Sequence, residues 1–104
     1  MQPYTAQDVT ATGVAVSLAT ITGIQRCRWF QVSATAVAST PARVGPSTVA
    51  LDVASPAVLG TGFPIGPGAG QFSPPVSLMT ETYDLTLWFL IGVIGDTFSV
   101  GVVV

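Results

Sequence analysis

Hydrophobic and polar positions alternate with a period of two along much of the chain. Val14, Val16 and Leu18 stand between Ala15, Ser17 and Ala19, which predicts a first strand closed by a turn at Thr22-Gly23. RCRWFQVSA (26–34) predicts a second strand whose facing conflicts, because Cys27 and Trp29 fall on one side and Phe30 and Val32 on the other. A bulge near Trp29 reconciles them. Ala42 to Gly45 and Thr48 to Val53 predict a short hairpin around Gly45-Pro46-Ser47, and Val76 to Met79 another short strand. No long apolar stripe at helical spacing is present, so the reading is all-β.

The C-terminal segment carries the strongest pattern. Leu85 to Ile94 and Thr97 to Val104 predict a hairpin closed by Gly95-Asp96. In that register one face collects Leu87, Phe89, Ile91, Val93, Phe98, Val100, Val102 and Val104. The other face, with Trp88 opposite Val103 and Leu90 over Gly101, is also apolar. A sheet that meets water alternates cleanly, so both faces are expected to be covered. Cover comes either from within the chain, by the N-terminal arm or the 60–75 segment, or from a subunit interface anchored on Trp88, Leu90 and Val103.

That 60–75 segment, GTGFPIGPGAGQFSPP, holds five glycines and four prolines. A phosphate-binding loop needs glycines leading into a helix and usually a lysine, and the chain contains no lysine. A flexible linker is poor in apolar side chains, whereas Phe63, Ile65 and Phe72 are spaced through this stretch. The segment therefore reads as an ordered loop lying on the sheet, pinned by those three side chains, which are also candidate interface residues.

Composition narrows the function. In 104 residues, 49% are apolar and only 8% are charged, with a net charge of -2, against about 25% charged in an ordinary domain. Three arginines make no basic patch, which speaks against a nucleic-acid ligand. So little surface charge points to a surface that sits against other protein. The single Cys27 makes no internal disulfide and reads as a small buried apolar residue. The opening MQPYTAQDV has neither the basic nor the apolar region of a secretion signal. Residues 1–12 read as a polar extended arm before a domain at 13–104. The apolar run Leu87 to Gly95 is too short to span a bilayer and is followed by Asp96.

Catalytic chemistry finds little to work with. With no histidine and no lysine there is no base for a nucleophilic triad, and one cysteine makes no zinc site. A carboxylate pair for glycoside hydrolysis would have to come from Asp8, Asp52, Glu81, Asp84 and Asp96, which fall mostly in loops and at strand ends. Glu81 and Asp84 lack the acidic ladder of a calcium loop and read as solvated charges that deter edge pairing. No catalytic residue, metal or cofactor is expected. A sugar platform built from Trp29, Trp88, Tyr4 and Tyr83 would need polar neighbours, and both tryptophans lie in apolar runs.

Taken together, RCRWFQVSA, ARVGPSTV, GFPIGPG and YDLTLWFLIGVIGDTFSV give the chain, over about residues 24–103, a pattern that resembles small all-β virion proteins of tailed bacteriophages. The resemblance implies an antiparallel β-sandwich or jelly-roll subunit, with its short arm, that cements or decorates a capsid. It further implies a homotrimer at capsomer junctions, partnered by the major capsid protein or other virion proteins, assembled in the host cytoplasm and located in the virion. Tail, neck or fibre attachment is the alternative place in the virion. A small carbohydrate-binding sandwich is the alternative from another class.

Overall fold

The computed structural model describes residues 4–37, 40–53, 59–66, 68–74 and 82–104. Ten strands follow one another: β1 (Tyr4–Thr10), β2 (Val16–Ser17), β3 (Arg26–Cys27), β4 (Trp29–Val37), β5 (Ala42–Gly45), β6 (Phe63–Ile65), β7 (Gly68–Phe72), β8 (Tyr83–Asp84), β9 (Phe89–Ile91) and β10 (Thr97–Val103). One four-stranded sheet, sheet A, has the order β1-β10-β4-β7. A second, sheet B, has the order β2-β9-β5-β6, and β3 pairs with β8 as a separate ladder. Each pairing is antiparallel.

These pairs nest. β5 pairs with β6, β4 with β7, β3 with β8, β2 with β9 and β1 with β10. The chain is thus one long antiparallel ribbon, folded back near its middle and rolled so that, apart from the separate β3–β8 ladder, successive pairs fall alternately in the two sheets. Contacts of β10 with β4 and of β5 with β9 knit the roll shut. An eight-stranded double sheet with this order is a jelly roll, so the all-β sandwich expected from sequence is the fold.

Between the sheets, Phe30, Val32, Phe98, Val100 and Val102 of sheet A meet Ala42, Val44, Ile65 and Leu90 of sheet B, all buried. Leu18, Cys27 and Leu85 close one end. Cys27 is buried as expected, and burial pushes its thiol pKa up. The facing conflict in 26–34 is resolved by a break at Arg28, which separates β3 from β4 and lets Cys27 and Phe30 both point inward.

Several expectations are corrected. Leu85–Ile94 and Thr97–Val104 form no hairpin, because β9 lies in sheet B and β10 in sheet A. The turn between them is closed by the Asp96 N–H donating to Val93 O (2.9 Å), one residue earlier than Gly95-Asp96. Leu85–Leu87 is a 3-10 turn rather than strand, and Leu87 is exposed. Ala42–Gly45 pairs with β6 and β9 instead of with residues 48–53. The run after Val16 becomes a short helix, α1 (Leu18–Thr22). The Ser17 side chain accepts from Thr20 N–H at its start, and Gly23 ends it at φ 74°. Of the 1–12 arm, residues 4–10 are extended but belong to the domain as the edge strand β1. The strand expected at Val76–Met79 lies outside the described residues. Among the described residues no helix is long and apolar enough to cross a membrane.

Candidate interaction surface

The six residues expected at an interface separate into three groups. Leu90 and Ile65 are core, at 5% and 1% exposure. Both alternate inward on sheet B, so neither offers surface to a partner. Trp88, Phe63 and Phe72 come together within the chain. Trp88 sits 5.1 Å from the Phe30 ring in a T-shaped contact and 5.5 Å from Phe72, which in turn lies 5.0 Å from Phe63. Tyr83 adds an edge contact on Phe30 at 5.7 Å. The rings therefore cover one another, and Trp88 is half-buried by the 60–75 segment. Val103, expected opposite Trp88, pairs with Trp29 and Tyr4 on sheet A instead.

Over its described residues, 60–66 and 68–74, the glycine- and proline-rich segment is more than a loop. Its two halves are β6 and β7, the edge strands of sheets B and A, with Ile65 buried and Phe63 half-exposed. Ahead of it, Asp52, Gly60 and Gly62 are tied to the outer side of β5. The Arg43 guanidinium donates to Asp52 Oδ1 at 2.7 Å and to Gly62 O at 3.0 Å, and Gly60 N–H donates to the same Asp52 oxygen at 2.6 Å. Gly60's N–H first, and the Arg43 guanidinium after it, hold the Asp52 carboxyl below the usual carboxylate range. Arg43 Nε is buried without an acceptor.

Sheet A presents the surface that the sequence analysis missed. Because Phe98, Val100 and Val102 point inward, alternation turns Thr97, Ser99, Gly101 and Val103 outward. The registers then lay Asp8, Ser99, Ser33 and Gln71 in one row, and Ala6, Gly101 and Gln31 in the next. Hydrogen bonds between side chains tie this face together: Gln31 Nε2 to Gln71 Oε1, and the Thr35 and Thr97 hydroxyls to each other, each at 2.6 Å. Across these rows Asp8 is the single charged residue. Its signal in the sequence is the spacing of small polar residues in TAQDVT and TFSVGVV.

The remaining candidates are dispersed. Trp29 donates its indole N–H to Pro74 O at 3.2 Å, and the rings around Trp88 are taken up by one another, so these two tryptophans form no shared platform for a sugar. Asp84 accepts from the Thr86 hydroxyl and N–H (2.6 and 3.0 Å), which lowers its pKa, while Glu81 lies outside the described residues. Asp96 is buried and accepts from Val93 N–H at 3.2 Å within its own turn. Among the described residues no three His, Cys, Asp or Glu side chains gather into a metal-holding group. In comparisons with protein families, curated proteins and solved structures, nothing matches the chain.

Proposed function

We propose that the protein is a non-catalytic structural component of a bacteriophage virion, a cement or decoration protein that binds across joints between capsid subunits. The observation that carries this reading is the outer side of sheet A, built mainly from Ser, Thr, Gln, Ala and Gly, with Trp29 and Val103 side by side at one end and one charge, at Asp8, across its rows. A face with so few charges loses less solvation than an ordinary charged surface when it is laid on a protein that offers partners to its hydroxyls and amides. Contacts repeated over a shell turn modest affinity per copy into large collective stabilisation. The resemblance in RCRWFQVSA, GFPIGPG and YDLTLW supplies the class of partner, the major capsid protein.

The test is to look for the chain in purified particles of the phage that encodes it. Quantitative mass spectrometry would give its copy number relative to the major capsid protein, and immunogold labelling its place. A stoichiometric component labelled over the head is the expected result. Labelling confined to the neck, tail or fibre base would move the role elsewhere in the virion. Absence from the particle would overturn it, and a glycan-array signal would then favour the carbohydrate-binding alternative.

A further inference from the structure

We infer that β1 is a docking edge whose occupant is the β1 strand of a second copy, paired antiparallel about a two-fold axis at Gln7. A sheet edge invites pairing with any passing strand, and folded proteins blunt it with short length, proline, bulges or charge. Three of the four edges here are blunted. β2 has two residues and runs into α1. β6 has three, with Pro64 at its centre lacking an N–H. β7 is interrupted by a register shift opposite Ala34–Val37, with Gly68 at φ 85°. Among the described residues β1 alone keeps seven residues in unbroken register, from Tyr4 opposite Val103 to Thr10 opposite Thr97, without proline or bulge and with Asp8 as its one charge. Ala6, Gln7, Asp8 and Thr10 are exposed.

The direction of the backbone groups follows from the turn beside it. Ala11 N–H donates to Asp96 O at 2.7 Å and Ala11 O accepts from Gly95 N–H at 3.1 Å, so Ala11 faces the β10 side. By alternation Val9, Gln7 and Thr5 also face β10, while Ala6, Asp8 and Thr10 turn their N–H and C=O outward. Arg28 N–H donating to Val103 O at 2.7 Å gives the matching assignment on β10, whose odd residues face β4.

Two copies of one strand pair antiparallel only where residues facing the same side of the sheet oppose each other, so the axis passes through a residue. An axis at Asp8 would set two carboxylates face to face. At Ala6 it would shorten the overlap of residues 4–10. At Gln7 all seven residues pair, Asp8 falls opposite neutral Ala6 of the other copy, and Gln7 opposes itself. An amide that is both donor and acceptor complements its own image. A net charge of -2 adds little repulsion between copies. The product is a continuous eight-stranded sheet that doubles the outer face and its single charge per copy.

Analytical ultracentrifugation, at concentrations up to about 100 µM, tests the edge and its register together. The parent should reach twice the 10.6 kDa chain mass. Ala6→Glu sets one carboxylate opposite Asp8 of the other copy on each side of the axis and should weaken the dimer about tenfold, while Ala6→Lys should tighten it by a similar factor. Ala6 is exposed, so at concentrations low enough for the parent to be monomeric both variants should unfold at the parent's temperature. Gln7→Cys should give a cross-linked dimer on mild oxidation, because a directly opposed pair lies within disulfide reach. A monomer throughout this range, equal effects of Ala6→Glu and Ala6→Lys, or an oligomer of any size that ignores both would overturn the inference. None of these outcomes bears on whether the chain is present in virions, so the proposed function and the edge fail separately.

Discussion

Asp52 shows how one side chain can hold a connection in place. It ties Gly60 and Arg43 together, and both lower its pKa. A carboxylate with a lower pKa folded than unfolded adds stability that is fully present above its unfolded value, about 3.9. That contribution disappears as pH falls through the folded value. Asp52→Asn should therefore lower the urea midpoint at pH 7, and the gap to the parent should close as pH is taken below about 4. Asp84, also lowered, titrates in both proteins and cancels from the difference. A gap that stays constant with pH would mean that the carboxylate charge contributes nothing. At Trp88 the issue is packing. Its contacts with Phe30 and Phe72 are internal, so Trp88→Ala should cost about 2–3 kcal/mol of unfolding free energy. The native mass should be unchanged. A variant that kept its stability and lost assembly would return Trp88 to an interface.

Among the elements, legibility followed the length of the alternating run. β10 is seven residues long, and the inward set Phe98, Val100 and Val102 could be read from the sequence. β9 is three residues long, and its facing was inverted. The cause is local: Asp84 caps a 3-10 turn at Leu85–Leu87, which ends any strand begun there. Without a shared ladder, nothing ties the facing of β9 to that of β10. A one-residue change of phase moves every side chain to the opposite face, which put Phe89 and Ile91 inside on paper and Leu90 inside in the fold. Helix α1 is one turn, too short for a helical period to show, although Ser17 and Gly23 mark its two ends. The split of GFPIGPGAGQF between two sheets depends on partners far away in sequence and was not readable. Gly62 sets up the start of β6, with φ 110° and a position where a Cβ would lie 3.0 Å from Val44 O. Gly62→Ala should cost about 1–3 kcal/mol, combining backbone strain with the clash. Gly68, with φ 85° but open space around it, should cost less when changed to alanine. Thermal unfolding of the two variants side by side gives the comparison, and equal costs would show that strain alone decides.

For the molecule as a whole, the nested ribbon predicts the order in which the fold closes. Val44 pairs with Phe63, Val32 with Phe72, Val16 with Leu90 and Tyr4 with Val103, so each pair encloses the one before it. Closing a long loop in an open chain costs more entropy than closing a short one. Once β5 and β6 have met, the effective loop for β4 and β7 shrinks, and each later pair inherits the same advantage. The outermost pair, β1 with β10, gains most by waiting. Inner contacts should accordingly be formed in the folding transition state and β1 contacts should not. Val44→Ala should slow folding and leave unfolding nearly unchanged. Val9→Ala, on β1, should leave folding unchanged and speed unfolding. Stopped-flow fluorescence of Trp29 and Trp88 across a urea series reads both limbs. If Val9→Ala slowed folding as much as Val44→Ala, the ribbon would close from its ends, and β1 would be part of the nucleus. The expected result instead leaves the β1 edge as the last strand to be added and the first to be released. A second copy bound along that edge would then stabilise the part of the roll that opens most readily.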